Sequence, residues 1–324
     1  MRLSLIDILY AIGDWESVSG TVSVVITTYF RNDALRNAIE SSLAQTLSPH
    51  EILVVDDSGE RHAESVCSAY DVRYLPHETN RGQVAAWHTG VAAADGQYVQ
   101  LLDDDDTLHE AKLAAQVEVL DGHSAGVVYC GFEWRDGTRL MPPSDGQGDV
   151  LERVLTLDFP VCTTSTLLTE RRLLEDVVPL PDYGGGTDLP LKIELATRST
   201  YEYVDRPLVS RRNDPDSQGN SMTAMRARHQ ILDEYEELYA EVPETVHQRA
   251  TAMSHRLVAA TAIQQQYWSA EAIVSYFRAA LADPSTRPND VIRGLFALGG
   301  RPGLAVGEQL ASWVGSLRAR LTSA

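Results

Sequence analysis

The sequence predicts an α/β fold, a mainly parallel β-sheet flanked by helices, followed by an α-helical C-terminal extension. Three observations predict it. Strand and helix signals alternate from residue 21 to residue 134. The strand segments are apolar throughout, as in sheets covered on both faces. From Thr223 onward the pattern is helical.

The elements follow in order. "TVSVVIT" (21–27) is a β-branched run, and a helix is expected from Asn32 to Gln45. There Asn32 or Asp33 can cap, and Leu35, Ile39 and Leu43 share one face. "EILVVDD" (51–57) is the second strand, 61–70 a helix and "VRYL" (72–75) a short strand. "QVAAWHTGVAAA" (83–94) is a helix, "QYVQLL" (97–102) a strand, 108–121 a helix and "GVVYCGFEW" (126–134) a strand. Residues 136–150 are turn-rich and read as a surface excursion. Residues 160–212 mix short strands and helices, and "RRNDPDSQGNSMT" (211–223) is a polar loop long enough to be functional. The expected division is an amphipathic N-terminal helix over 1–20, an α/β domain over 21–222 and a helical extension over 223–324.

Composition narrows the function classes. With 44% hydrophobic and 23% charged residues the chain can bury a sizeable core. Its net charge is −19 and its only lysines are Lys112 and Lys192. That surface argues against nucleic acid, whose phosphates need a basic footprint. Excess acid with scarce lysine suits a protein working in high salt, where screening shortens self-repulsion. Cys67, Cys130 and Cys162 lack metal-ligand spacing and read as buried thiols of a reducing compartment. No window approaches the roughly 18 to 20 apolar residues of a membrane-spanning helix. Asp7 interrupts the apolar N-terminal run, and no small-residue cleavage site follows. A cytoplasmic location is expected, with peripheral contact at the membrane face left open.

"QYVQLLDDDDTLHEA" sets four aspartates, Asp103 to Asp106, at the lip of a buried strand. Carboxylates about 4 Å apart repel by roughly 1 kcal/mol in water and about 4 kcal/mol at an effective dielectric near 20. Either water dilutes that cost on a plain acidic turn, or a cation removes it. Ligands of such sheets bind beyond the carboxyl ends of the strands. That rule picks out Thr28, Asp56 and the aspartate run together.

Taken in order, "SVVITTYFRNDALRNAIESSLAQTLSPHEILVVDDSGE" and "NRGQVAAWHTGVAAADGQYVQLLDDDDTL" resemble the opening of a family 2 glycosyltransferase of the GT-A fold. The resemblance spans roughly residues 22–110 and continues more weakly to about 215. It implies a nucleotide-binding half over 21–135 and an acceptor half over 136–222. The family's DXD motif falls on Asp103, Asp104 and Asp105. The resemblance implies Mn²⁺ or Mg²⁺ on Asp105, with Asp104 or Asp103 reaching the ribose or a metal-bound water, and a nucleotide-diphosphate sugar as donor. Asp106 or Thr107 then opens the next helix. Asp56 is assigned to the nucleotide base, Asp57 to ordering the turn with Ser58 and Gly59, and Thr28 and Tyr29 to the same pocket. Gly82 falls near the nucleotide and Arg81 near a phosphate, while His88, standing where asparagine is common, receives no role.

Inverting members of the family use a carboxylate to take the acceptor proton, commonly the Asp of an "ED" pair. Here "GGGTDLPLKI" offers Asp188 as the base, with Thr187 in place of the glutamate and Asp182 as the fallback. Arg211 and Arg212 occupy the place of a loop that closes over the diphosphate. The implied reaction is metal-dependent transfer of a sugar, with inversion, to a glycan or lipid-linked acceptor. The alternative is a non-catalytic nucleotide-sugar-binding or scaffold subunit on the same fold. In the helical extension, Trp268, Tyr276, Phe277, Phe296 and Trp313 read as core, or as a membrane-docking face beside Arg293, Arg301, Arg318 and Arg320.

Overall fold

The computed structural model describes residues 20–212, 219 and 221–322. The helix expected over 1–20, Gly20 apart, and much of the polar loop 211–223 lie outside the described residues. The elements in chain order are β1 (Val22–Thr28), α1 (Asn32–Leu43), β2 (Glu51–Asp56), α2 (Glu64–Cys67), β3 (Arg73–Pro76), α3 (Gln83–Ala93), β4 (Tyr98–Asp103) and β5 (Thr107–Leu108). Next come α4 (Lys112–Gly122), β6 (Val127–Trp134), β7 (Arg139–Leu140), α5 (Leu151–Leu155), β8 (Leu168–Glu170), α6 (Arg171–Val177), α7 (Asp188–Ala196) and β9 (Tyr201–Arg211). The helical end comprises α8 (Met222–Glu234), α9 (Glu236–Ala240), α10 (Glu244–Gln265), α11 (Ala270–Ala282), α12 (Arg287–Ala297) and α13 (Gly300–Thr322).

The chain forms two compact units that interleave along the sequence. Among the described residues, one comprises 20–150, 161–180 and 194–212, the other 151–160, 181–193 and the residues after the polar loop. The first holds a mixed sheet of order β3-β2-β1-β4-β8-β6-β9-β5, with β7 paired to β6. The β3-β2-β1-β4 half is parallel. Beyond it β8 runs antiparallel to both β4 and β6, and β6 and β9 are parallel again. Buried β-branched and leucine side chains fill β1, β2 and β4, which explains their uninterrupted apolar reading. From β1 the chain moves outward to β2 and β3, then returns to place β4 on the other side of β1. That reversal opens a crevice at the carboxyl ends of β1 and β4. Register makes the edge concrete, because Thr28 pairs with Asp56 and Thr27 with Asp103.

Two local expectations are corrected here. Arg31, and neither Asn32 nor Asp33, occupies the cap position of α1, with no side-chain cap. The buried face of α1 is Leu35, Ala38, Ile39 and Ser42, and Leu43 faces outward. At about 100° per residue, Ser42 stays on the Leu35–Ile39 stripe and Leu43 rotates past it.

The second unit is helical. One of its apolar clusters joins Ala259, Ala262 and Ile263 of α10 to Ala272 and Tyr276 of α11, Ala297 of α12 and Leu304 of α13. Helices α12 and α13 approach closely through glycine. A Cβ at Gly307 would lie 2.6 Å from the Phe296 Cβ, and one at Gly303 would meet the Phe296 carbonyl. Arg256 of α10 forks onto Asp290 of α12, with Nε 2.9 Å from Oδ1 and Nη2 2.9 Å from Oδ2.

Candidate active site

The aspartate run is a tight turn from β4 into β5, closed by the Asp106 amide donating to the Asp103 carbonyl at 3.2 Å. Each carboxylate has its own donor from a different element. Gln83 Nε2, at the start of α3, donates to Asp103 Oδ1 at 3.1 Å. The Thr28 hydroxyl, at the end of β1, donates to Asp104 Oδ2 at 2.7 Å. Arg31 Nη1 donates to Asp104 Oδ1 at 3.2 Å and to Asp105 Oδ2 at 3.0 Å. Arg211 Nε, at the end of β9, donates to Asp106 Oδ2 at 3.2 Å, and its guanidinium lies over the Phe132 and Trp134 rings. The Asp103 amide donates to the Ser165 hydroxyl oxygen at 3.3 Å.

Two arginines against four carboxylates leave surplus negative charge in a largely dry site. Burial, then the fields of Asp106 and Asp105, push the Asp103 carboxyl well above the ordinary range. Burial raises Asp104 to about 6, although Thr28 and Arg31 pull the other way. Burial also raises Asp106 against the opposing pull of Arg211. The turn therefore attracts positive charge. Asp106 does not cap the next helix, and Thr107 does not open it. The two-residue strand β5 intervenes, pairing Thr107 with Ser210 of β9, and α4 begins five residues later with no side-chain cap.

At the end of β2 the two aspartates divide the work differently from the sequence expectation. Asp56 orders the turn, with Oδ1 accepting from the Ser58 amide at 3.0 Å and Oδ2 from the Ala63 amide at 2.9 Å and the Tyr74 hydroxyl at 2.8 Å. It is 1% exposed. Burial alone would raise its pKa, but those donors hold it below the ordinary range. Asp57, which was expected to order that turn, instead clamps the loop before α3. Its Oδ1 accepts from the Arg81 amide at 2.8 Å and its Oδ2 from the Gly82 amide at 2.8 Å, while the His77 ring lies 2.6 Å from Oδ1. Gly82 has φ 85°, a left-handed conformation that favours glycine. Arg81 and Gly82 are thus tied to the end of β2, and His88 is exposed on α3.

Tyr29 is exposed and stands edge-on to Phe30, with centroids 4.8 Å apart, and Phe30 lies 5.0 Å from the His62 ring. Phe30 has φ 57°, a strained value for a non-glycine residue of the kind that clusters at functional sites. A cavity of about 360 Å³ lies here, lined among others by Phe30, Arg31, Asn32, His62 and Arg212. That is within the range of small-molecule sites. Sequence reasoning missed Phe30, Arg31, His62, Gln83 and Ser165 as site residues. Only the left-handed Phe30 leaves a trace, and it is a structural one.

Asp188 lies in the second unit, as the first residue of α7. Gly184, Gly185 and Gly186 precede it with φ 73°, 151° and 67°, and a Cβ at Gly185 would lie 2.7 Å from the Ala224 Cβ. The glycine run therefore permits a close approach to α8. Asp188 Oδ2 accepts from the buried Lys192 ammonium at 2.9 Å. Burial lowers the pKa of Arg228, against the opposing fields of Asp188 and Asp158. The fallback residue, Asp182, accepts the Gly184 amide at 2.8 Å within its own turn.

Residues 23–178 match the model of the glycosyl transferase family 2. This segment resembles a family 2 glycosyltransferase domain. The "Uncharacterized glycosyltransferase YwdF" of Bacillus subtilis is 37% identical over 123 residues, covering 36% of this chain and 46% of the relative. The "Succinoglycan biosynthesis protein ExoO" of Rhizobium meliloti is 30% identical over 152 residues, covering 45% of this chain and 43% of that protein. The matched segments span less than half the length of either relative. Among solved structures, S. aureus TarS 1-349 superposes with a TM-score of 0.60 at 16% identity, covering 90% of both chains. A second TarS 1-349 structure, in complex with UDP-GlcNAc, gives a TM-score of 0.54 at 16% identity. The chain thus has a TarS-like fold, and its aspartate turn and Asp57-clamped loop sit at the crevice edge of the parallel half-sheet.

Proposed function

We propose that the protein transfers a sugar, with inversion, from a nucleotide-diphosphate sugar to an acceptor hydroxyl in glycan or polysaccharide assembly. The observation that carries this reading is the aspartate turn, whose four carboxylates sit at the crevice edge and outnumber their two arginine partners. Among the described residues no three His, Cys, Asp or Glu side chains converge on one metal position. Hard divalent cations nevertheless keep several waters and share phosphate oxygens, so one or two protein carboxylates suffice. The half-buried Asp105 carboxylate, held by Arg31, fits that demand. Mn²⁺ or Mg²⁺ on Asp105 would supply neutralisation of the charge that builds on the departing diphosphate.

The chain's own residues do the rest. Asp103 and Asp104 hold the ribose side of the donor through oxygens that Gln83 and Thr28 pre-orient. The Arg81 and Gly82 backbone, held by Asp57, forms the wall along the diphosphate. The nucleobase lies against Thr28 and Tyr29, on an edge that Asp56 shapes through its turn. Asp188 takes the acceptor proton, and Lys192 holds its carboxylate in place. The same ion pair favours one other reading, a non-catalytic sugar-nucleotide-binding subunit, because a paired carboxylate is a weaker base. The acceptor is a glycan or a lipid-linked glycan.

The test is calorimetric binding of UDP, GDP and dTDP with and without Mn²⁺ or Mg²⁺, UDP first because TarS is known in complex with UDP-GlcNAc. Cation-dependent binding of one nucleotide, weakened at least tenfold in Asp105→Ala, is the expected outcome. A folded wild type that binds none of them under any condition would sink the reading. Asp188→Asn is expected to keep nucleotide binding and to lose transfer by at least a hundredfold, within the range that general-base removal spans. Wild type that binds nucleotide and shows no transfer or donor hydrolysis would favour the binding subunit.

A further inference from the structure

Helices α12 and α13 reverse the charge of the rest of the chain. Residues 287–324 contain five arginines against Asp290 and Glu308, a net charge of +3, whereas the remaining sequence holds 22 Lys and Arg against 44 Asp and Glu. Apolar exposure accompanies it. Of the twelve large apolar side chains exposed among the described residues, five lie in this segment and two more, Tyr267 and Trp268, in the turn before α11. Exposed apolar patches mark contact surfaces.

Around the Tyr267–Trp268 turn the exposed side chains are held together by specific contacts. Tyr267 is 67% exposed, Trp268 51% and Leu298 57%. Trp268 Nε1 donates to the Leu298 carbonyl at 3.2 Å, and the Arg301 amide donates to the Tyr267 carbonyl at 3.0 Å. Gly300, with φ 68°, brings the start of α13 under the Tyr267 ring. The Arg301 guanidinium is tethered at the edge of this patch by the Ile263 and Gln264 carbonyls. Along α13, Leu304 and Ala311 are buried, whereas Val306, Leu310 and the 62% exposed Trp313 follow at spacings of four and three. Helix α13 is therefore apolar on two faces, one against its own core and one bare.

We propose that α12, α13 and the Tyr267–Trp268 turn form a docking surface for an anionic lipid bilayer, holding the protein peripherally on a membrane. Tryptophan and tyrosine with an apolar body and a polar tip, flanked by arginine, are the side chains that settle at the lipid headgroup boundary. The local positive charge complements anionic headgroups. Repulsion from the acidic remainder is screened beyond about 8 Å at physiological salt, so groups in direct contact with lipid outweigh it. Among the described residues no helix is long and apolar enough to cross a membrane. This surface acts independently of sugar transfer.

The test is co-sedimentation of the full chain with vesicles of equimolar phosphatidylglycerol and phosphatidylcholine, and with phosphatidylcholine alone, at low and high KCl. Wild type is expected to sediment with the anionic vesicles at least tenfold more than with the zwitterionic ones at low salt. Trp268→Ser/Trp313→Ser is expected to lose at least tenfold of that binding. Leu310→Glu, which leaves the Trp268 hydrogen bond untouched, is expected to lose it as well. Helical circular dichroism and thermal melts of the same samples confirm that each variant is folded, and nucleotide binding measured beside them separates this question from the catalytic one. Wild type that stays in solution with both vesicle types overturns the proposal, as does undiminished sedimentation of both variants. A wild-type dimer in light scattering that the double variant turns into a monomer would instead assign the patch to a second copy of the chain.

Discussion

Three groups converge on Asp57: the amides of Arg81 and Gly82 and the ring of His77, which itself reaches the Thr89 hydroxyl at 2.8 Å. Removing the carboxylate strands the Arg81 amide and leaves the Gly82 amide only Asn80 Oδ1, at 2.9 Å. Asp57→Ala is expected to cost about 1–3 kcal/mol in urea unfolding, the usual penalty for unsatisfied buried donors. It should also weaken nucleotide binding in calorimetry, because the Arg81–Gly82 loop loses its anchor. Unchanged stability and affinity would mean that other contacts hold the loop. The sequence marked both Asp56 and Asp57 as residues at a strand end but gave Asp57 the turn that Asp56 holds. Successive side chains at a strand end point to opposite faces, so neighbouring aspartates meet different partners. Which partners wait on each face, Tyr74 for one and the loop before α3 for the other, is a tertiary fact. The same holds for Arg31, Gln83, Ser165 and Arg211, which reach the aspartate turn from four separate segments.

At the scale of elements, long periodic segments were legible and short ones were not. Strands β1, β2, β4 and β6 fall within a residue or two of the apolar runs that predict them. Strand β5 was invisible because two residues carry no period, yet it turns Asp106 away from α4 and toward Arg211. The aromatics of the helical extension divided as burial required, with Tyr276 in the core and Trp268 and Trp313 outside it. Between α8 and α10, His229 Nε2 lies 3.1 Å from His255 Nδ1. Burial and the neighbouring ring lower His255 to about 4, and burial lowers His229, with Asp233 opposing and Arg278 assisting. The folded state therefore binds fewer protons than the unfolded chain, whose histidines titrate near 6.5. Stability is full above about pH 6.5 and falls as the pH drops toward 4. His255→Gln is expected to flatten that limb in thermal melts recorded from pH 7 to pH 4.5. An unchanged slope would show that carboxylates alone set it.

For the whole molecule, a net charge of −19 makes self-repulsion a standing cost of the folded state. The Debye length falls from about 10 Å at 0.1 M salt to about 3 Å at 1 M. The melting temperature is therefore expected to rise with KCl over that range in scanning calorimetry. A flat or falling profile would argue that the acidic surface is already balanced by its ion pairs. The two-unit organisation was partly legible. The change from strand to helix patterning after residue 223 appeared in the sequence, but nothing local tells that 151–160 and 181–193 cluster with the helices. Their partners lie far along the chain, and the bond from the Tyr239 hydroxyl to the Leu155 carbonyl (2.6 Å), 84 residues apart, emerges only in three dimensions.

Interleaving also sets an order of events during synthesis. Helix α5 and the glycine run before α7 leave the ribosome well before α8 and α10, the helices they pack against. At roughly 5–20 residues per second, the hundred or so residues from α5 to the end of α10 take about 5–20 s to appear. For that interval Val154, Leu155 and Phe159, all buried in the finished protein, have no native neighbours to cover them. The sheet of the first unit is delayed as well, because β9 closes it only once Arg211 has emerged. Nascent chains paused between these points would expose apolar surface and be the species most in need of a chaperone.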